Sequence, residues 1–278
     1  MNYLKTSKKI RFLYDVDIML SLHIAGFAIK IVFSPTEWPE KKGLLVDLIR
    51  RYFGPFISTH PNKADAIISI KEISGIPFIN KDGIHFNQYF EQTGRNSYTA
   101  YYHISIFELS YLLLFIILSL MGKKGFLLHS SSVSTAKGIA LFMGKSGAGK
   151  STTMEMLKDS FPPFSDDCVA IKKQGEEYVC YQVPWIEKDS SLMRLTQKSE
   201  KIVAIFDLVK NKSFAIQKID KSHIFHQMAL NVWTIDGLSK DALFAVGEFV
   251  NLEKNVLGAR LYLSKNDKGR LIKEVSVL

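Results

Sequence analysis

Apolar positions in the first hundred residues recur every second residue in some segments and every three to four residues in another. The first spacing is typical of half-buried strands and the second of an amphipathic helix. This mixture predicts a smaller α+β region over residues 1–104. Its predicted elements are strand-like segments at His23–Phe33, 64–73 and 76–80, a helix at 42–53, and a hairpin turn at Lys81–Gly83.

A long apolar segment, Ser105–Met121, separates this region from the rest of the chain. Its uninterrupted apolar run is Tyr111–Met121, which is shorter than the roughly 20 residues that span a bilayer. Gly122 followed by two lysines is a good helix stop, because the cations lie near the negative end of the helix. We therefore expect a buried helix and no membrane span.

From Phe126 onward, short apolar strands alternate with helical segments, a pattern that favours an α/β domain. We assign residues 105–278 to this domain. Its predicted strands cover 126–129, 138–143, 168–173, 178–183, 202–209, 213–219 and 259–264, and its predicted helices cover 152–159, 221–233 and 238–252.

Composition excludes several classes of protein. Hydrophobic residues make up 47% and charged residues 23% of the 278 positions, so the chain is neither disordered nor fibrous. Two cysteines, Cys168 and Cys180, do not make a disulfide framework and fit a reducing, cytoplasmic location. The net charge of +9 is spread over the chain without a nucleic-acid-binding motif, so we expect a lysine-rich solvated surface and no nucleic acid. The alternative is a positive field that attracts phosphates or an acidic partner.

A glycine-rich loop is the clearest chemical signal. Gly144–Ser151, GKSGAGKS, matches G-x-x-x-x-G-K-[ST] at every fixed position, between an apolar strand and a helical segment. Such a loop binds phosphates with its backbone N–H groups, while Lys150 neutralises the β- and γ-phosphates and the Ser151 hydroxyl contacts Mg²⁺. The expected cofactors are therefore ATP and Mg²⁺. The predicted nucleotide-binding residues are Gly144, Lys145, Ser146, Gly147, Ala148, Gly149, Lys150, Ser151 and Thr152.

Two adjacent carboxylates, Asp166 and Asp167, follow the loop at the start of an apolar strand. One of them can help to hold Mg²⁺ while the other accepts the proton of an attacking hydroxyl. Asp207, at the end of another apolar strand, fits a Walker B aspartate loosely, and we interpret it as an exposed strand end. His223 and His226 have no evident third ligand, so we interpret them as a partly exposed helix face.

Together these segments resemble the kinase core of the HPr kinase/phosphorylase family. LLHSSSVSTAKGIALFMGKSGAGKST, followed by FSDDCVAI, contains that family's histidine, short hairpin, apolar strand, phosphate loop, helix and Asp-Asp pair in order. The resemblance implies a P-loop fold similar to that of the ATP-dependent phosphoenolpyruvate carboxykinases, with a mixed sheet and flanking helices. It also implies a short stand-alone kinase whose acceptor is a hydroxyl, of a serine in a peptide or protein or of a small molecule.

The resemblance implies a role for each site residue. Asp166, His129 and Lys150 are the expected catalytic residues: Asp166 accepts the hydroxyl proton, His129 orients or tunes it, and Lys150 binds the triphosphate. Ser151 and Asp167 are the expected Mg²⁺ ligands.

Two other functions stay open at this point. The chain could bind ATP as a regulator without transferring phosphate, or it could be a plain ATPase that uses Asp207 as its Walker B residue. Lys188 is a further candidate for contacting the phosphates. The sequence leaves open the identity of the acceptor and whether the chain forms a homo-oligomer.

Overall fold

The chain divides into two compact units, Met1–Leu120 and Met121–Leu278. The predicted division after residue 104 places the long apolar helix in the second part, whereas this division places it in the first. The computed structural model describes residues 18–59, 63–72, 90–185, 197–235, 237–253 and 255–278.

The first unit is built on a five-stranded mixed sheet. Its strands are β1 (Ile18–Ile24), β2 (Phe27–Phe33), β3 (Ala66–Lys71), β4 (Phe90–Gly94) and β5 (Ser97–Tyr101), and its helices are α1 (Pro39–Phe53) and α2 (Ile106–Met121). The spatial order is β1-β2-β3-β5-β4. The three central strands, β2, β3 and β5, are parallel, and β1 and β4 pair antiparallel at the two edges.

The segment His23–Phe33, predicted as one strand, contains a hairpin turn between β1 and β2. Ala25 and Gly26 form this turn with positive φ angles of 52° and 72°. A left-handed conformation favours glycine or asparagine, so Ala25 gives no turn signal in the sequence. The hairpin of β4 and β5, which turns at Asn96, was not predicted either. The predicted elements at 76–80 and 81–83 lie outside the described residues.

Helix α2 is the predicted apolar helix. Ser105 and Glu108 cap its start reciprocally, since each backbone N–H donates to the other side chain. Tyr98 packs edge-on against Phe115 of the helix. The helical stretch Ile106–Lys124 has 19 residues and is therefore longer than the apolar run Tyr111–Met121. Its length and its mean hydropathy of 1.8 would allow it to cross a membrane. One such helix is weak evidence for a membrane location, because core helices of soluble proteins have the same properties.

The second unit contains a ten-stranded mixed sheet with helices on both faces. Its strands are β6 (Gly125–His129), β7 (Ser131–Ser134), β8 (Ile139–Met143), β9 (Pro163–Ser165), β10 (Cys168–Gln174), β11 (Glu177–Gln182), β12 (Ser199–Lys210), β13 (Ala215–Lys218), β14 (Val232–Trp233) and β15 (Leu257–Leu263). The strands on its main path follow the order β14-β6-β10-β11-β12-β8-β7-β9, and β15 pairs with both β12 and β13. The helices are α3 (Lys150–Leu157), α4 (Lys221–Asn231), α5 (Ser239–Leu252) and α6 (Lys268–Ser276).

Strand β12 organises this sheet. It pairs in parallel with β8 and with β15, and its first residues pair antiparallel with β11. The parallel pairing aligns Asp207 of β12 with Met143, the residue immediately before the glycine-rich loop. The carboxyl ends of β8 and β12 therefore lie side by side, which is where ligands bind in open α/β sheets.

Two apolar cores cover the two faces of the sheet. On one face, Met228 of α4 and Phe249 of α5 pack against strand residues such as Leu141. On the other face, α3 and α6 pack against residues such as Phe142, which stacks on Phe206. The second unit is thus a mixed α/β structure with flanking helices, as predicted.

One boundary and several short elements of the second unit differ from the prediction. Helix α4 ends at Asn231, because Val232 and Trp233 pair with β6 as a short strand. Strands β7 and β9 and helix α6 were not predicted from the apolar spacing, although α6 buries Leu271 and Val275 against the second core. Helix α6 has nine residues, so its stability depends on this packing.

Candidate functional site

The glycine-rich loop follows β8 and leads directly into α3. Gly144, Gly147 and Gly149 all have positive φ angles, 152°, 78° and 110°. A Cβ on Gly144 would lie 2.7 Å from the Ala148 Cβ, which essentially no real side chain tolerates. The loop conformation therefore requires glycine, and Gly149 serves as the N-cap of the helix.

Lys150 is the first residue of α3. Its ammonium group donates to the carbonyl of Gly144 at 3.0 Å, so its charge lies over the loop. The Ala148 N–H donates to the Lys145 carbonyl at 2.9 Å, which closes the loop turn. The N-terminal N–H groups of α3 and the helix dipole add positive potential at the same place.

His129 and Asp167 meet because β6 and β10 pair antiparallel. His129 is the last residue of β6 and lies opposite Cys168, the first residue of β10. The Ser130 N–H donates to the Asp167 carbonyl at 3.0 Å, which fixes the neighbouring backbone. The His129 Nδ1 lies 2.9 Å from Asp167 Oδ1, with the aspartate side chain 13% exposed.

The loop and these side chains line one cavity of about 350 Å³, here named the phosphate cavity. It brings together all three predicted catalytic residues and both predicted Mg²⁺ ligands. Ala148 lies on a neighbouring cavity instead, and Lys188 lies outside the described residues. The lining residues are His129, Ser146, Gly147, Gly149, Lys150, Ser151, Thr152, Asp166, Asp167 and Lys210.

Lys210 is a cavity residue that the sequence analysis missed. It is the last residue of β12, and its Cε lies 4.0 Å from the position that a Cβ on Gly149 would take. The parallel pairing of β12 with β8 brings this ammonium group beside the loop. A lysine at the end of an apolar strand carries no functional signal until that pairing is known.

Asp207 lies in a buried charged cluster, so the prediction of an exposed strand end was wrong. Its Oδ2 accepts a hydrogen bond from Arg260 Nε at 3.0 Å and lies 2.9 Å from His223 Nε2. Arg260 Nη2 and His223 Nε2 are 2.7 Å apart. The pKa of Arg260 is raised, mainly by its hydrogen bond to Tyr262 and next by its hydrogen bond to Asp207. His226, on the same helix, is exposed.

The oxygen donors in the phosphate cavity fit Mg²⁺. Ser151, Asp166 and Asp167 offer a hydroxyl and two carboxylates on its lining. Within the described residues, no group of three or more His, Cys, Asp or Glu side chains could hold a metal ion alone. The two carboxylates are the feature that suits Mg²⁺, because this ion binds one or two carboxylates together with water and substrate phosphates.

The two cysteines do not contribute to the site chemistry. Cys168 and Cys180 are free and buried. Burial is the main cause that raises the pKa of each thiol well above its ordinary value. Neither sulfur is therefore an effective nucleophile near neutral pH, because the thiolate is the reactive form.

Comparison with known proteins gives a distant structural relation. No protein-family model matches the chain, and no curated protein matches it in sequence. The solved structure of the Hpr(Ser) kinase/phosphatase from Coxiella burnetii is similar over 54% of this chain and 92% of that chain, with 12% identity and a TM-score of 0.29. At that distance the similarity does not assign an activity to this chain.

Proposed function

We propose that the chain is an ATP- and Mg²⁺-dependent kinase that transfers the γ-phosphate to a hydroxyl, of a serine in a peptide or protein or of a small molecule. One observation carries the proposal: the lysine of the phosphate loop and two adjacent carboxylates line a single cavity. A phosphoryl-transfer site needs a cation for the triphosphate, a metal ligand and a proton acceptor in this arrangement.

The loop and α3 would bind the triphosphate. Backbone N–H groups of Gly147 and Gly149 and the positive helix end suit the phosphate oxygens, and Lys150 suits the β- and γ-phosphates. Ser151 and Asp167 would hold Mg²⁺, which supplies neutralisation of the charge on the phosphates. Most of the rate enhancement would then come from positioning and charge stabilisation.

Asp166 would act as the proton acceptor. As the acceptor oxygen bonds to the γ-phosphorus, the bond from that phosphorus to the β–γ bridging oxygen breaks and ADP leaves. The hydroxyl proton moves to the Asp166 carboxylate, so charge does not build up on the new ester. His129 would hold Asp167 in place through the 2.9 Å contact between Nδ1 and Oδ1.

The position of Asp207 disfavours a plain ATPase that uses this residue as Walker B. Its carboxylate bonds to Arg260 and His223, and it is not among the residues that line the phosphate cavity. A regulator that only binds nucleotide has no need for the carboxylate pair beside the loop.

We further propose a cytoplasmic location, where ATP and Mg²⁺ are supplied.

The test is transfer of radiolabelled γ-phosphate from ATP. A degenerate serine-containing peptide library and a set of polyols and hydroxy acids serve as separate acceptor pools. We expect labelled product with wild type in one of the pools, formed at least about 10²-fold more slowly with Asp166→Asn. ATP binding without transfer to either pool, or to water, would favour the regulator; release of free phosphate alone would favour the ATPase.

A further inference from the structure

A cavity of about 370 Å³ lies between the start of α4 and the end of α5, and it is here named the helix-end cavity. Its lining includes Lys221 and Ile224 of α4, Phe249 and Val250 of α5, and Ile205 of β12. Within the described part of the chain, it shares no lining residue with the phosphate cavity. Its volume lies in the usual range for small-molecule sites, about 300–1,000 Å³, so it can hold a small ligand of its own.

The inner wall of the helix-end cavity is apolar. Its buried members are core residues that cover this face of the sheet: Ile205, Ile224, Phe249 and Val250. Protein interiors are close-packed, with few voids larger than a water molecule. An apolar recess leaves its wall atoms without contact partners on one side, and an apolar group of a ligand supplies them. The wall therefore suits a compact hydrocarbon or aromatic group.

The two helix ends at this cavity have opposite polarity. Helix α4 begins at Lys221 with Asp220 as its N-cap, whereas α5 ends at Leu252 with Glu253 as its C-cap. A helix carries partial positive charge at its N-terminus and partial negative charge at its C-terminus. The Lys221 ammonium group donates to the Asn251 carbonyl at 2.9 Å, which holds the two ends side by side. A ligand with one negative and one positive group complements this pair of ends.

The charged side chains of the lining are also of both signs. They are two lysines and two carboxylates, namely Lys218, Lys221, Asp220 and Glu253. Asp220 Oδ1 accepts from the His223 N–H at 2.7 Å, and Glu253 Oε1 accepts from the Tyr178 N–H at 2.9 Å. These contacts fix the position of each carboxylate while using only one of its two oxygens. Ammonium and carboxylate groups of a ligand can therefore both find a partner of opposite charge here.

We infer that the helix-end cavity binds a free α-amino acid with an apolar side chain, of the leucine or phenylalanine kind. The side chain lies against Ile224 and Phe249, the carboxylate near Lys218 and the start of α4, and the ammonium group near Glu253 and the end of α5. A ligand with a single charge would leave either the lysines or the carboxylates without a partner, so the zwitterion is the better complement. The inference does not depend on the proposed function, because the two cavities are separate.

The experiment is isothermal titration of the full chain, without nucleotide, with L-leucine and L-phenylalanine at neutral pH. Three matched compounds each lack one recognised feature. The compound 4-methylpentanoate lacks the ammonium group of leucine, 3-methylbutylamine lacks the carboxylate, and L-serine lacks the apolar side chain. This comparison tests the ligand chemistry on the wild-type protein alone.

Two variants test the place of binding. Lys218→Met and Glu253→Gln each remove one charge from the lining, and Lys240→Met is the matched control at an exposed position of α5 outside the described lining. Glutamine keeps an oxygen that can accept from the Tyr178 N–H, so Glu253→Gln preserves that hydrogen bond. Thermal unfolding verifies that each variant is folded.

We expect wild type to bind one of the two amino acids with a Kd of about 1 mM or lower, and each matched compound at least about tenfold more weakly. Lys218→Met and Glu253→Gln should each weaken binding about threefold or more, because partly exposed charges contribute modestly, whereas Lys240→Met should bind as wild type does.

Three results would overturn the inference: no binding of either amino acid at about 10 mM, equal binding of the single-charge compounds, or unchanged affinity in the folded charge variants. Each of them leaves the proposed function intact, because no nucleotide takes part in the titration. Failure of phosphate transfer would in turn leave this inference intact.

Discussion

Replacing Asp207 with asparagine should destabilise the fold and leave phosphate transfer nearly intact. The Asp207 side chain is 6% exposed, and its Oδ2 accepts from Arg260 Nε at 3.0 Å. The amide oxygen of asparagine can still accept that hydrogen bond, but the negative charge is lost. The guanidinium of Arg260 would then be held beside His223 without a counter-ion, which is unfavourable for a partly buried charge.

The size of the effect follows from how far the partners are buried. A hydrogen bond to a charged group contributes about 1.5–3 kcal/mol, whereas an exposed ion pair contributes about 0–1 kcal/mol. Arg260 and His223 are 29% and 27% exposed, so solvent screens the pair in part. We expect a loss of about 1–2 kcal/mol in the free energy of unfolding, or about 2–8 °C in Tm for a unit of this size.

Thermal unfolding followed by circular dichroism, together with the transfer assay, measures both sides of this prediction. Asp159→Asn is the matched control, because Asp159 pairs with Lys268 at 2.8 Å on the surface with its side chain 64% exposed. That variant should unfold almost as wild type does. If Asp207→Asn keeps the wild-type Tm and loses its transfer rate, Asp207 acts at the reaction centre and the reasoning above is wrong.

Three further predictions concern the site and the location of the chain. Lys150→Ala should weaken ATP binding and abolish turnover, since a fixed charge at the loop is removed; titration and turnover assays would show this, and near wild-type turnover would end the phosphate-loop interpretation. Asp166→Asn should bind ATP–Mg²⁺ nearly normally and lose at least about 10²-fold in transfer rate, because a proton acceptor acts mainly in the transition state; an equal loss of affinity would contradict that role. After a carbonate wash of the membranes, the chain should be found in the supernatant, because the apolar run Tyr111–Met121 is too short to span a bilayer; retention of the chain in the membrane pellet would place α2 in a bilayer instead.

The local features of the site follow from residues that are neighbours along the chain. The conformation of the loop depends on three glycines at positive φ angles, and glycine is the residue type that adopts these angles without a steric penalty. The helix after the loop was predicted over 152–159 and begins two residues earlier, at Lys150, directly after the N-cap residue Gly149. The long helix α2 was also predictable, because its apolar spacing and its Ser105 cap lie within one segment.

The sequence also indicated which side chains belong to the site, although it did not establish their distances. Asp167 was chosen from its position after the loop, and His129 was expected at the site because of the family resemblance. Their contact at 2.9 Å depends on the antiparallel pairing of β6 with β10, which joins segments far apart along the chain. No local pattern specifies such a register.

The roles of residues on β12 and β15 depend on which strands and helices pack together in the fold. Asp207 reads as a strand end in the sequence, but the parallel register sets it opposite Arg260, and α4 brings His223 onto both. Lys210 reads as an ordinary surface lysine, but the pairing of β12 with β8 sets it beside the phosphate loop. Strand neighbours are chosen by the packing of whole faces, so a side chain's partners across a sheet are a property of the fold rather than of the residues around it.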